Sequence, residues 1–151
     1  MRSVTIEWEG PFSLDYVIDE LNREDDFGLY QIYGTHIILE PDGGADHLLY
    51  IGMTGPRSTY SWRFEEHKRD WIWYNLERGG EMSIHIARLP SMSEKKIKLV
   101  EALEIYWHSP PYNGQHITSI DEYQYPRIKI INKGSRRKLL ERIDNIRPPW
   151  Y

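Results

Sequence analysis

The sequence predicts an α/β domain of the α+β type, in which a small, mixed and mostly antiparallel sheet of three strands is flanked by helices. Three observations predict it. The 151 residues suit one globular domain with a core of its own. Hydrophobic residues make up 40% of the chain and charged residues 28%, which excludes intrinsic disorder. Segments with a period of two alternate with segments of helical spacing, and turn residues separate them.

A short strand and a helix are predicted first. Residues 4–8 alternate apolar and polar side chains, which indicates a strand, and Gly10 and Pro11 are expected to end it. Ser13 is a plausible helix N-cap. The apolar residues after it recur at helical spacing: Leu14, Val17, Ile18 and Leu21. We expect residues 1–26 to form an accessory βα unit.

A β-hairpin is predicted next. Residues 29–39 are rich in β-branched and aromatic residues, and residues 48–51 form a second apolar run. The sequence Pro-Asp-Gly-Gly at positions 41–44 is a strong turn signal between them. We expect residues 52–59 to form a loop after the hairpin.

The next predicted elements are a helix, a strand and a second helix. Residues 60–76 have helical spacing, and three of their side chains are expected to face the core: Trp62, Trp73 and Leu76. Residues 82–89 indicate a third strand, which makes the element order ββαβ. The sequence Ser-Met-Ser-Glu at positions 91–94 fits a capping box for a helix over residues 92–107.

The last part of the chain predicts a further strand and helix. The proline pair at positions 110–111 should end the preceding helix. Residues 127–131 are typical of an edge strand, and Ser135 is a possible cap for a last basic helix that runs through Ile143. The C-terminal segment is therefore expected to be a second βα addition.

The composition excludes several classes of protein. With no cysteine there can be no disulfide framework, thiolate zinc site or cysteine nucleophile. Five histidines also lack the spacing of a zinc site: His36, His47, His85, His108 and His116. The first residues lack the pattern of a signal peptide, so we expect a cytoplasmic protein without a membrane span.

The charge is distributed unevenly along the chain. The net charge of −4 excludes a domain that is basic throughout, yet residues 1–50 hold 2 basic and 11 acidic residues, and residues 126–151 hold 8 basic and 2 acidic ones. Five basic side chains near the C-terminus are candidates for contacts with a phosphate backbone: Lys133, Arg136, Arg137, Lys138 and Arg142. Ion pairing with the acidic part of the chain is an equal alternative.

Aromatic residues offer a further possible contact with nucleic acid. Four of them could stack on unpaired bases: Trp71, Trp73, Tyr74 and Trp107. A small domain with 13% aromatic residues is nevertheless expected to use most of them in its core.

Five residues can combine into a chemical site. Tyr30 and Tyr50 lie on the two hairpin strands, and antiparallel pairing can bring their phenols to one face. Arg63 and His67 are four residues apart on a helix, so their side chains lie on the same side. Glu101 interrupts an apolar stripe of the next helix, and a carboxylate at such a position needs an explanation.

These five residues belong to four short sequence signatures. Positions 28–30 are Gly-Leu-Tyr, and positions 50–52 are Tyr-Ile-Gly. An arginine and a histidine at positions 63 and 67 are separated by three residues, and Asn113 stands twelve positions after Glu101. Together these elements resemble the GIY-YIG endonuclease superfamily, with leucine for isoleucine in the first signature. The resemblance covers residues 27–114, and the distance between the two tyrosines is longer than in compact members.

The resemblance implies a GIY-YIG-like nuclease domain over residues 1–151, with a core at about 27–114 and additions at 1–26 and 115–151. It implies a metal-dependent endonuclease that hydrolyses phosphodiester bonds of nucleic acid, with DNA favoured over RNA. The implied catalytic residues are Tyr30, Tyr50, Arg63, His67, Glu101 and Asn113. Glu101 would ligate one Mg²⁺ or Mn²⁺, and Asn113 would mainly position the site.

The chemistry is consistent with these residue types. Magnesium needs only one or two protein carboxylates, and the planar guanidinium of Arg63 matches a phosphate. A tyrosine acts as a phenolate near neutral pH only if its pKa falls by about 2 units, which is roughly 3 kcal/mol. His67 could instead accept the phenol proton or the water proton. The residues therefore leave the identity of the base open.

Two other functions remain compatible with the sequence. One is a catalytically idle module of the same fold that binds nucleic acid or a protein, which the acidic N-terminal half favours. The other is a factor whose cleft serves a different phosphate-bearing ligand. The substrate preference, the pathway and the oligomeric state cannot be predicted from the sequence.

Overall fold

The structure, a computed structural model, describes residues 2–34, 46–72, 82–114 and 128–144. These residues form six strands, three α-helices and one π-helical turn. The elements are β1 (Arg2–Phe12), α1 (Leu14–Glu20), β2 (Gly28–Gly34), β3 (His47–Thr54), α2 (Tyr60–His67), the π-turn (Lys68–Ile72), β4 (Met82–Arg88), α3 (Glu94–His108), β5 (Ile128–Gly134) and β6 (Arg142–Asp144). Within these described segments, no helix has both the length and the apolar character needed to cross a bilayer.

All six strands belong to one mixed sheet in the order β3-β2-β4-β1-β5-β6. Strands β1 and β5 are parallel, and the other neighbours are antiparallel. The α+β class is confirmed, but the prediction of three strands is wrong. The predicted strands β2, β3 and β4 form one half of the sheet, and β1 joins that half to the terminal strands. Both terminal segments therefore extend the sheet that carries the predicted site.

Strand β1 is longer than predicted, because Gly10 and Pro11 do not end it. The strand continues to Phe12, and its pairing with β4 shifts register between Glu9 and Phe12. Such an irregularity accommodates a proline, which has no N–H to donate to the ladder. The helix that follows is capped as predicted, since the Ser13 hydroxyl accepts a hydrogen bond from the Tyr16 backbone N–H.

The C-terminal segment differs most from its prediction. Residues 135–141 form turns, and β6 takes the place of the helix that Ser135 was expected to cap. Strand β5 is also not an edge strand, because it lies between β1 and β6. Ile130 and Ile143 are register partners and are both buried, so the strand conformation brings both side chains into the core.

Two helices also differ from their predicted boundaries or faces. Ser93 caps α3, not Ser91, and the helix ends at His108, before the proline pair as expected. Trp62 was expected to face the core but is 58% exposed, because Tyr60, Phe64 and His67 form the buried side of α2. Residues 35–39 and 73–76, for which strand and helix were predicted, lie outside the described segments.

The sheet is covered on both faces. Helix α3 packs against one face, where Leu29, Ile51 and Ala87 belong to the larger core. Helices α1 and α2 cover the other face, around Tyr30 and Ile84. Because β3 is the edge strand, the two helical layers approach each other along it, and the predicted site lies at this edge.

A buried polar network ties α3 to the terminal strands. Glu104 is fully buried, and its Oε1 accepts a hydrogen bond from Asn132 Nδ2 at 2.8 Å. Trp8 Nε1 donates to Asn132 Oδ1 at 3.0 Å. Burial raises the pKa of Glu104 to about 8, opposed only in part by the Asn132 hydrogen bond. The side chain is therefore protonated at neutral pH in the folded protein.

We expect the stability of the protein to fall as the pH rises between about 4.5 and 8 because of Glu104. The folded state keeps the proton in this range and the unfolded state releases it, so the free energy of unfolding falls by at most about 1.4 kcal/mol per pH unit. Glu104→Gln keeps the oxygen that accepts from Asn132 and removes the titration. Urea unfolding of both proteins across this range measures the difference, and parallel pH profiles would contradict the expectation.

Candidate active site

The two signature tyrosines lie side by side on the hairpin. Tyr30 is the register partner of Gly52, and Tyr50 is the partner of Ile32, so both phenols project from the same face. Their ring centroids are 6.0 Å apart. A Cβ at Gly52 would overlap the Tyr30 ring, so the glycine of the second signature makes room for the tyrosine of the first. The predicted convergence of the phenols is confirmed.

The glycine of the first signature has a different role. Gly28 has a φ of +145°, and a Cβ there would overlap the carbonyl oxygen of Ala87 on β4. Close by, the Tyr60 hydroxyl lies 2.9 Å from the carbonyl oxygens of both Leu29 and Ala87. Tyr60 thereby fixes the start of α2 against β2 and β4. Sequence analysis did not identify Tyr60, since an aromatic residue at a helix start is ordinarily part of the core.

Helix α2 brings its arginine and histidine to the tyrosines. The Thr59 side chain caps the helix. His67 Nε2 lies 2.6 Å from the Tyr30 hydroxyl, and the His67 ring centroid is 5.0 Å from that of Tyr50. Arg63 lies close enough to both tyrosines for its charge to interact with them. The predicted proximity of Arg63 and His67 to the tyrosines is therefore confirmed.

The protonation states in this cluster follow from burial. Burial raises the pKa of Tyr30 well above its ordinary value, and Arg63 opposes the shift. Burial and the Arg63 charge lower the pKa of His67 to about 3, so the imidazole is neutral. The Tyr30 hydroxyl and His67 Nε2 share one hydrogen bond, and its direction depends on the tautomer of the imidazole.

Glu101 is a half-buried carboxyl group on α3 that faces the edge of β3. Burial raises its pKa to about 7, while Arg63, Lys98 and a hydrogen bond from the Met53 backbone lower it. The charges around it therefore compensate its own charge only in part. A partly buried carboxylate whose charge is only partly compensated is stabilised by a further cation.

The positive charge of Arg63 is only weakly paired with a carboxylate of the protein. Its Nη1 lies 3.5 Å from Glu66 Oε2 on the same helix, and both side chains are about one-third exposed. A pair of this length and exposure contributes little, on the order of 0–1 kcal/mol. The Arg63 guanidinium can therefore turn towards an anionic ligand at small cost.

A cavity of about 640 Å³ joins these groups. Its lining includes Tyr50, Arg63, Glu101 and Asn113, whereas Tyr30 and His67 are buried next to it. The other lining residues are Met53, Thr54, Gly55, Ser58, Trp62, Glu94, Ile105, Tyr112 and Gly114. The structure thus brings together all six residues that were predicted as catalytic, four of them on the cavity wall.

Asn113 holds the edge strand in place. Its Oδ1 accepts from the Ile51 N–H at 3.0 Å, and its Nδ2 donates to the Ile51 carbonyl at 2.8 Å. The neighbouring Tyr112 N–H donates to the Leu49 carbonyl at 3.0 Å. Residues 112–113 thus bond to the open edge of β3 on either side of Tyr50. Asn113 is thereby bonded to the strand that carries Tyr50.

The residues present fit a single hard divalent cation. In the segments that the structure describes, no three His, Cys, Asp or Glu side chains are grouped as a metal site. Glu101 could hold Mg²⁺ or Mn²⁺ with waters and substrate oxygens as the other ligands. Glu94 lines the same cavity two turns earlier on α3, and the cavity has room for a hydrated ion.

The predicted nucleic-acid contacts lie away from the cavity. Arg137 forms an ion pair with Asp46, and its guanidinium carbon lies 4.5 Å from the centroid of the Tyr33 ring. Lys138 Nζ donates to the Asp46 carbonyl, and Arg136 Nη1 donates to the Leu139 carbonyl at 2.6 Å. Arg137 is therefore paired with an acidic residue of the N-terminal part of the chain, which was the alternative to a phosphate contact. The two other candidates, Lys133 and Arg142, are exposed on β5 and β6.

Of the four aromatic residues considered for base stacking, one packs against the core and the side chains of the other three are not described. Trp107 packs against the larger core. Residues 73 and 74 lie outside the described segments, and nothing is described of the Trp71 side chain. The exposed aromatic residue at the cavity is Trp62, which sequence analysis assigned to the core.

No protein-family model, curated protein or solved structure matches this chain. The class of protein must therefore be argued from its own residues and geometry.

Proposed function

We propose that this chain is a metal-dependent endonuclease of the GIY-YIG type that hydrolyses phosphodiester bonds, preferentially in DNA. The observation that supports it is the convergence of Tyr50, Arg63 and Glu101 on one cavity, with Tyr30 and His67 bonded behind them. Packing alone does not explain why the phenol of Tyr50, the guanidinium of Arg63 and the carboxyl group of Glu101 line the same solvent-accessible cavity.

Arg63 binds the scissile phosphate in this proposal. Its donor fork matches two phosphate oxygens, and its pair with Glu66 is long enough to be replaced. Negative charge grows on the phosphoryl oxygens during hydrolysis, so the guanidinium stabilises the transition state more than the substrate.

Glu101 provides the ligand for the divalent cation. A cation held there supplies positive charge that acidifies water and offsets the charge of the phosphoryl oxygens. Burial raises the Glu101 pKa to about 7 because it penalises the negative charge. A bound cation offsets this penalty, so the ionised carboxyl group is more stable with the cation than without it.

The tyrosines and His67 handle the proton of the attacking water. Tyr50 is the signature tyrosine that lines the cavity, whereas Tyr30 is fully buried next to it. Tyr30 can accept a proton only by passing its own to His67. A phosphate paired with Arg63 offsets the charge that lowers the His67 pKa, so substrate binding makes His67 a better acceptor.

The proposal is tested by incubating the purified protein with linear, branched and single-stranded DNA and with RNA, in Mg²⁺, Mn²⁺ or EDTA. We expect nicking or cleavage of at least one DNA substrate that requires the metal, and a large loss in Tyr30→Phe. Phenylalanine keeps the packing against Phe64 and removes the hydrogen bond to His67. Salt-dependent DNA binding without cleavage of any substrate would instead support the idle module.

A further inference from the structure

Trp62 places a large aromatic ring in water at the cavity that carries the proposed chemistry. Its side chain is 58% exposed, although most large hydrophobic residues of the described segments are buried. It precedes Arg63 on α2, and both residues line the same cavity. The buried side of α2 is complete without it, since Tyr60 and Phe64 are both fully buried.

The surroundings of Trp62 specify what can cover it. Tyr112 lines the cavity from a separate wall, the segment after α3, and is half-buried. Two carboxyl groups, Glu94 and Glu101, also line the cavity, and Arg63 is the cationic side chain of its lining. A flat, neutral ring attached to a single phosphate fits the combination of the indole and one guanidinium.

We propose that Trp62 is a stacking platform for an unpaired nucleobase whose phosphate is bound at Arg63. The inference rests on the proposed function and specifies its substrate class, which is DNA with unpaired nucleotides at the cleavage site. In uninterrupted duplex both faces of each base are covered by neighbours, so the indole cannot stack there without extrusion of the base. Stacking of one base on an aromatic ring is worth about 5- to 150-fold in affinity.

The test measures binding of a fluorescent oligonucleotide in EDTA, where no metal-dependent cleavage takes place. We expect Trp62→Ala to weaken binding of the single strand about 5- to 150-fold and to leave binding of the same strand in duplex unchanged. Trp62→Phe should recover part of the loss because it keeps a ring. Tyr16→Ala is the matched control, since Tyr16 is 46% exposed on α1 and does not line the cavity.

An abasic oligonucleotide separates stacking from general effects. Removing the contacted base should weaken binding to the wild-type protein and have no effect on Trp62→Ala, because the partner ring is already missing. Unchanged melting of the variant shows that the exposed substitution leaves the fold intact. Equal losses for single strand and duplex, no loss with either, or no binding of single-stranded DNA by the wild-type protein would each overturn the inference.

The same experiments distinguish this inference from the proposed hydrolysis. Cleavage in Mg²⁺ or Mn²⁺ with Trp62→Ala equal to wild type on every substrate would sink the stacking platform and leave the nuclease intact. Base-dependent coupling to Trp62 without cleavage in either metal would support the stacking platform and overturn the hydrolysis.

Discussion

Glu101→Gln is expected to lower the rate of metal-dependent cleavage by at least about 100-fold. The substitution removes the carboxylate proposed to hold the cation and keeps nearly the same size and polarity. It should not unfold the protein, because burial penalises the charged form of Glu101 and glutamine carries no charge. Initial rates at saturating Mn²⁺, together with melting temperatures, measure the two effects separately.

Glu104→Gln is the matched control for this experiment. It makes the same substitution three residues later on the same helix, but Glu104 lies in the network with Asn132 and does not line the cavity. We expect it to cleave at close to the wild-type rate. Equal rates for Glu101→Gln and the wild-type protein would rule out metal-assisted hydrolysis at this site.

Arg63→Ala is expected to lower the cleavage rate by at least about 100-fold, since a comparable arginine in phosphoryl-transfer enzymes contributes roughly 10³-fold or more. Arg63→Lys should recover little, because an ammonium cannot form the planar fork. A second effect follows from the loss of positive charge near His67, whose pKa should rise from about 3 in Arg63→Ala. NMR titration of the His67 imidazole measures that shift independently of activity.

Arg69→Lys provides the control for Arg63→Lys. Arg69 is exposed on the π-helical turn that follows α2 and does not line the cavity. We expect it to retain activity. If Arg63→Lys also cleaved at the wild-type rate, Arg63 would act only as a diffuse positive charge, and the bidentate role would be wrong.

The hairpin half of the fold was predictable because its signals are local. The β-branched and aromatic residues of β2 and the turn signal at positions 41–44 indicate a hairpin whose two strands carry Tyr30 and Tyr50. Long-range pairing has no such signal. Nothing near Val4 or Ile130 indicates that they are register partners in parallel strands, so the sheet was predicted with half of its strands.

The buried face or the cap of a helix was predictable only where the sequence offered a single suitable residue. Trp62 and Phe64 are both aromatic and two positions apart, and a helix that packs on one side can bury only one of them. Serines stand at both positions 91 and 93, and either can start a helix. Packing of Ile97 and Val100 against the sheet selects Ser93.

The site was predictable as a set of residues and not as a protonation pattern. The signatures placed Tyr30 and His67 together, but their pKa values depend on burial by residues that the signatures do not include. Tyr60 illustrates the same limit. Its hydroxyl reaches two strands through backbone carbonyls, and a backbone partner leaves no mark in the sequence.

The parallel pairing of β1 with β5 has a consequence for folding kinetics. Trp8 and Asn132, which are bonded across it, are separated by 124 positions in the chain. Closing a loop of this length costs entropy before any contact energy is gained, so pairings of this kind form slowly. The hairpin of β2 and β3 closes a far shorter loop and can assemble early. A nascent chain would therefore bring Tyr30 and Tyr50 together well before β1 is paired on both sides, with β4 and β5.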